Sequence, residues 1–283
     1  MAKYGKHILF FLLLAVFLVS TTLLLRQSAD NAAGARTYDS ARELVRQTPS
    51  APVLNPMSEL TLKEGSDEPE IPMKTVWIPV PVEDDPHLDT LAANDLTALR
   101  ETNADVLGWI LIPDSPVDFP LLQGEDNDYY LTHTWDHQYN SVGSIFLEHR
   151  NTPDFTDYNT IVYGHNMNDG AMFSELKAFS DEMYFQSHPY IYIALESGVY
   201  RYAVFSCYRA GLQDPTYGLS FNQETTKEKF LAHALGQSVI DTGIVPSQTD
   251  RILTLSTCFG DGSNTRWVVH ARLEMMAVEV PDA

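Results

Sequence analysis

The longest apolar run in the chain extends from Ile8 to Leu25, interrupted only by Ser20, Thr21 and Thr22. As a helix it would reach roughly 27 Å, close to the bilayer hydrocarbon thickness of about 30 Å. It is apolar on every side, unlike the one-sided stripe of a soluble surface helix, so it predicts a membrane anchor over residues 8–25. Lys3 and Lys6 precede the run, and the positive-inside rule then places residues 1–7 in the cytoplasm and the remaining chain outside. A cleaved signal peptide is the competing reading, because Ala33-Gly34-Ala35 resembles a small-residue cleavage site. Signal cores, however, are usually about 7–15 residues long.

Periodicity is weak from residue 26 to 50, which reads as a stem with at most one short helix over Tyr38 to Gln47. Between Thr48 and Asp85 the prolines 49, 52, 56, 69, 72, 79 and 81 stand among Asp and Glu. Such a stretch cannot bury a core and predicts an extended spacer, completing a stem and spacer over 26–85 that holds a folded domain away from the membrane. That domain begins at Pro86 and continues to residue 283. Leu88, Leu91, Ala92, Leu96 and Leu99 recur at helical spacing and predict one amphipathic helix, with Pro86 in its first turn.

The period then changes. Runs rich in β-branched and aromatic residues predict strands at 106–112, 117–122, 144–148, 160–163, 190–195, 200–208, 252–257 and 267–273. Eight strands separated by turn signals predict a mainly β fold, a closed eight-stranded barrel with helical insertions. One insertion lies between the sixth and seventh strands, where Thr225 and Glu228 form a capping-box pattern ahead of Phe230, Leu231, Ala234, Leu235 and Val239.

Hydrophobic residues are 44% and charged residues 20% of the 283, which excludes a chain disordered throughout. The formal charge is −20 and unevenly spread: residues 1–50 carry a net +3 and residues 51–283 a net −23. An acidic body of that size repels phosphate backbones and excludes a broad nucleic-acid-binding surface.

Two cysteines are present. Cys207 lies inside the apolar pattern Ala203-Val204-Phe205-Ser206-Cys207 and reads as a small buried hydrophobe. Cys258 ends a strand and opens onto Phe259-Gly260-Asp261-Gly262-Ser263-Asn264, where a reactive group can be both fixed and accessible. It reads as a nucleophile, with a Cys207–Cys258 disulfide as the alternative that an oxidising compartment permits. His165, in Tyr163-Gly164-His165-Asn166-Met167, occupies a second strand end and suits an acid/base. Arg266 begins the last strand eight residues beyond Cys258, where a guanidinium could face the thiol or simply pair at the surface. His133 and His137 are four apart, but no further ligands complete a metal set.

The strings Leu253-Thr254-Leu255-Ser256-Thr257-Cys258 and Arg266-Trp267-Val268-Val269, with the upstream Gly164-His165-Asn166-Met167 and Gly170-x-Met172-Phe173, resemble the sortases. The helix inserted between the strands flanking the site makes the resemblance closest to class B, over roughly residues 88–273. The resemblance implies a membrane-anchored extracellular cysteine transpeptidase with no metal or organic cofactor. Cys258 would be its nucleophile, His165 its acid/base and Arg266 its oxyanion or substrate stabiliser. The implied partners are proteins bearing a C-terminal sorting signal cleaved after Thr, and an accepting amine of a peptidoglycan cross-bridge or of a pilin. Asn127 and Leu131, in Asp126-Asn127-x-x-Tyr130-Leu131, together with Ser256 and Tyr217, are implied substrate contacts. Some class B members carry an acidic residue one or two positions after the nucleophile, whereas here Phe259 and Gly260 stand there and Asp261 comes third. A pilin polymerase and a catalytically silent, membrane-tethered binding module are the alternative readings.

Overall fold

The computed structural model describes residues 2–47, 73–79, 85–258 and 264–281. The residues between 48 and 72, from 80 to 84 and from 259 to 263, with Asp261 and most of the proline-rich segment, lie outside that description. Eight strands close into a barrel: β2 (Val106–Leu111), β3 (Asp118–Leu122), β4 (Ile145–Leu147), β5 (Asn159–Gly164), β6 (Tyr190–Leu195), β7 (Gly198–Gly211), β8 (Ile252–Cys258) and β9 (Thr265–Leu273). Their order around the barrel is β2-β3-β4-β5-β8-β9-β7-β6. The pairs β3/β4 and β5/β8 run parallel and every other pair antiparallel. These are the eight predicted strands, displaced by a few residues at their ends. A further two-stranded ribbon pairs β1 (Met73–Pro79) with β10 (Met275–Pro281).

Alternation along the strands separates two hydrophobic clusters. Val162, Leu253, Leu255, Cys207, Val269 and Ala271 point into the barrel and join its main core. Ile252, Phe205, Tyr208, Ala210 and Val268 face outward, where Phe230, Leu231 and Ala234 of α5 (Glu224–Gln237) cover them. Helix α5 is the predicted insertion, but it starts earlier than the capping-box pattern implies. Gln223 takes the N-cap position without a side-chain bond, and Thr225 already lies in the first turn.

Two predicted elements differ. The single helix expected across residues 88–99 is broken into α2 (Pro86–Ala92) and α3 (Thr97–Thr102). The Asp95 carboxylate accepts the Thr97 N–H at 2.8 Å, and a side chain that satisfies a backbone donor locally starts a new helix there. The larger difference is at the N-terminus. In place of an anchor followed by a weakly structured stem, one continuous helix α1 spans Ala2–Gln47. Its side chains from Leu9 to Leu25 are almost all exposed, and it is the one helix among the described residues long and apolar enough to cross a membrane.

The second half of α1 is packed on the barrel. Gly34, Tyr38, Ala41 and Val45 are buried at helical spacing, and the last three join the main core. A Cβ on Gly34 would stand 2.9 Å from Val142 Cγ2, so its missing side chain is what lets the helix approach. Arg42 Nε donates to Asp118 O at 3.0 Å and Arg46 Nη2 pairs with Asp118 Oδ2 at 3.0 Å. α1 is thus itself part of the packed body, whereas the proline-rich segment expected to act as a spacer lies outside the described residues.

Candidate active site

The site is assembled by strand register. In the parallel β5/β8 pair Gly164 aligns with Thr257, so the next residue on each strand brings His165 alongside Cys258. In the antiparallel β8/β9 pair Cys258 aligns with Arg266. His165, Cys258 and Arg266 therefore occupy one row across three adjacent strands, with about 4.8 Å between neighbouring backbones. Residues of this face one step back, Tyr163 and Ser256, are likewise paired.

His165 is half-buried, and its Nε2 lies 2.6 Å from the carbonyl oxygen of Leu131. A carbonyl only accepts, so Nε2 carries the hydrogen and Nδ1 is the nitrogen whose protonation can change. The partner strand end is held by Gly143, at φ +61°, whose hypothetical Cβ would stand 2.9 Å from His165 Cδ2 and 2.8 Å from Leu131 O. Tyr38 of α1 closes this arrangement from behind, donating to Gly143 O at 2.5 Å and lying 3.0 Å from Ser144 Oγ. Arg266 is partly buried, with Nη1 donating to Thr265 O at 3.3 Å.

The expected substrate-contact residues flank this row. Tyr217, in the turn Pro215–Tyr217, places its hydroxyl 3.0 Å from Ser256 Oγ, so the two residues form one contact over β8. Asn127 donates from Nδ2 to Glu148 Oε2 at 2.7 Å and accepts the His149 N–H at 3.0 Å, which ties its loop to the end of β4. Leu131 packs against the main core and acts on His165 through its carbonyl, a contribution that side-chain reasoning misses.

Glu148 is a second residue that was not anticipated. It is buried and accepts from Asn127, from Tyr163 OH at 3.1 Å and from Arg150 Nε at 2.7 Å. Burial acts to raise its pKa, but the hydrogen bonds from Arg150, Asn127 and Tyr163 outweigh burial and hold it below the ordinary carboxylate range. A charge fixed there links the Asn127 loop to Tyr163, two residues before His165.

The disulfide alternative fails on register. Cys207 aligns with Val269, and Val269 with Leu255, so Cys258 lies two strands across and three residues along. That is about 14 Å between Cα atoms, twice the roughly 7 Å beyond which no bridge forms. Cys207 is free and buried, and burial pushes its thiol up to about 12. Among the described residues no group of three or more His, Cys, Asp or Glu side chains is placed to hold a metal ion, and His133 instead stacks on Tyr129 at 4.0 Å between ring centroids.

Comparison with known proteins is consistent across sequence and structure. A family model described as the sortase domain matches residues 110–274. Sortase B of Listeria monocytogenes is 40% identical over 167 residues, covering 58% of this chain and 67% of the relative. Sortase B of Staphylococcus aureus is 33% identical over 178 residues, covering 62% and 73%. Among solved structures, a Staphylococcus aureus sortase B–substrate complex superposes with a TM-score of 0.59 at 31% identity, over 62% of this chain and 82% of that one. A sortase B structure from B. anthracis gives 0.68 at 27% identity, over 88% and 99%.

Proposed function

The chain belongs to the sortase family and is a cysteine transpeptidase of the sortase B kind, and from that premise we propose that it is anchored by α1 and joins proteins bearing a C-terminal sorting signal to a peptidoglycan amine. Enzymatic kinship removes the reading as a silent binding module. The observation that carries the proposal is the row His165, Cys258, Arg266 across β5, β8 and β9.

In the proposed reaction the Cys258 thiolate attacks the carbonyl carbon of the signal's threonine. The carbonyl π pair moves to oxygen, where the Arg266 guanidinium and a backbone N–H stabilise the developing charge. His165, protonated at Nδ1, gives that proton to the departing amine as the C–N bond breaks, leaving a thioester. An incoming amine then attacks the thioester while neutral His165 takes its proton, and the Cys258 thiolate leaves as the new amide forms. The Leu131 carbonyl on Nε2 holds the imidazole in the orientation both halves require. A thiol free in water ionises near pH 8.5, so the cations on either side of Cys258 serve to favour the attacking form.

The test uses the full chain in detergent micelles with a quenched peptide of the Asn-Pro-x-Thr type, or a Pro-x-Thr-Gly relative. Wild type should cleave it and, given an amine, transfer it, and Cys258→Ala should do neither. Equal cleavage by the alanine variant would overturn the assignment.

A further inference from the structure

Helix α1 is unbroken from Ala2 to Gln47, so its apolar stretch ending at Leu25 and its docked stretch belong to one rod. The first ties to the barrel come almost at once. Asn140 Nδ2 donates to Asp30 O at 2.9 Å, and Asn31 Nδ2 donates to Asp169 Oδ2 at 3.1 Å. They lie five and six residues beyond Leu25, which is about 8–9 Å along a helix axis. The headgroup layer on one side of a bilayer is roughly 5–7 Å thick. No gap remains for a barrel standing off the surface.

Docking then continues up the rod. Gly34 meets Val142, Trp135 Nε1 donates to Thr37 O at 3.0 Å, Tyr38 reaches Gly143, and Arg46 reaches Asp118. The Asp118 end is therefore the far end, about 24 Å above Asp30 for an upright helix. Gly143, against which His165 packs, is met at Tyr38, about 20 Å beyond Leu25.

We propose that the barrel rests directly on the outer lipid surface. Its lipid-facing edge is the segment at Tyr139 and Asn140 with the loop of residues 166–172, and the reactive row opens within about 20 Å of the acyl boundary. Tyr139 is 78% exposed beside the first tie, an amphipathic ring of the kind enriched at headgroup level. The occupant of this edge is the bilayer surface, because the rod that enters the bilayer is the element that grips the edge. The inference rests on the proposed anchoring by α1. It reverses the role expected of the proline-rich spacer, which would have set the height of the domain.

The experiment places the full chain in nanodiscs containing a headgroup-spin-labelled lipid. The background is Cys258→Ala, in which buried Cys207 is the remaining thiol and resists labelling. A fluorophore is attached at Asn168→Cys or at Glu43→Cys, both exposed positions. The Asn168 probe should be quenched several-fold more strongly than the Glu43 probe. Inserting seven alanines after Ser28, which nearly preserves the docking face and lifts the barrel about 10 Å, should remove that excess. Equal quenching at both sites, or excess quenching that survives the insertion, would overturn the inference while leaving the anchoring reading intact. Failure of the chain to float with liposomes would overturn the anchoring reading and this inference together.

Discussion

His270 of β9 sits fully buried beneath α5, and its ionisation sets a measurable stability slope. Its Nδ1 lies 2.9 Å from Thr254 Oγ1, which in turn donates to Asn159 Oδ1 at 2.6 Å, so Nδ1 carries the hydrogen. Nε2 lies 3.1 Å from Tyr208 OH, whose own hydrogen is directed at Thr216 Oγ1, the donor to Asp214. Burial pushes the imidazole down to about 3, with Asp214 pulling the other way and His233 adding to the depression. The unfolded chain therefore takes up a proton near pH 6.5 while the folded chain does not, and stability falls with pH below that value. Each pH unit is worth about 1.4 kcal/mol, so the chain should be roughly 2 kcal/mol less stable at pH 5 than at pH 7.5. Asp85, Asp214 and Glu148, whose pKa values are lowered, are ionised in both states across this window and lose their contribution only below it. Urea unfolding of the full chain in micelles at the two pH values, for wild type and His270→Gln, reads the difference directly. The variant pays for its altered hydrogen bonds at both pH values, so that cost cancels in the comparison. Wild type should lose about 2 kcal/mol and the variant less than about 0.5 kcal/mol. An equal loss in both would refute the assignment of a neutral, buried His270.

Three further outcomes are expected. Gly143→Ala places a Cβ 2.7 Å from Tyr130 O and 2.9 Å from His165 Cδ2 at a backbone of positive φ, so it should cost about 1–3 kcal/mol and lower kcat/KM on the sorting peptide at least about tenfold; unchanged kcat/KM would show that this glycine does not hold His165. Glu148→Gln removes the charge that Arg150, Tyr163 and Asn127 share, costing roughly 1–3 kcal/mol by thermal unfolding and raising KM more than it lowers kcat as the Asn127 loop loosens. Tyr38→Phe deletes the donor to Gly143 O and should cost about 1–2 kcal/mol, with a fall in kcat at every pH and no new break in the pH profile.

The barrel was legible because its strands alternate and are rich in β-branched and aromatic residues, as in Thr160-Ile161-Val162-Tyr163 against Leu253-Thr254-Leu255. The docked half of α1 was not. Its buried stripe includes Gly34 and Ala41, residues whose contribution is closeness rather than hydrophobic area, and hydropathy does not register closeness. The break at Asp95 was missed for a similar reason, since a local side-chain bond overrides a periodic apolar pattern. At the site, Cys258, His165 and Arg266 were visible as chemically loaded residues at strand ends. Leu131 acts on His165 through a carbonyl that every residue possesses, so no residue type announced it. Glu148 looked like one acid among 38, and only the fold distinguishes it by burying it among three donors.

The topology explains why His165, Cys258 and Arg266 meet at strand ends. The interior of an eight-stranded barrel is filled by side chains, and here Val162, Leu253, Leu255 and Val269 take that space, so a groove must lie on the outer face or at a rim. Two parallel neighbours end at the same rim, whereas antiparallel neighbours end at opposite ones. β5 and β8 are such a parallel pair, and the chain returns to the rim only after β6, β7 and α5 have been threaded between them. His165 and Cys258, 93 residues apart in sequence, thereby leave their strands side by side. The antiparallel β9 starts at that rim, which brings Arg266 back opposite Cys258. One parallel crossover and one antiparallel return thus bring a thiol-bearing residue, a histidine and an arginine to a single edge, and the same crossover carries Tyr217, whose hydroxyl meets Ser256 on β8.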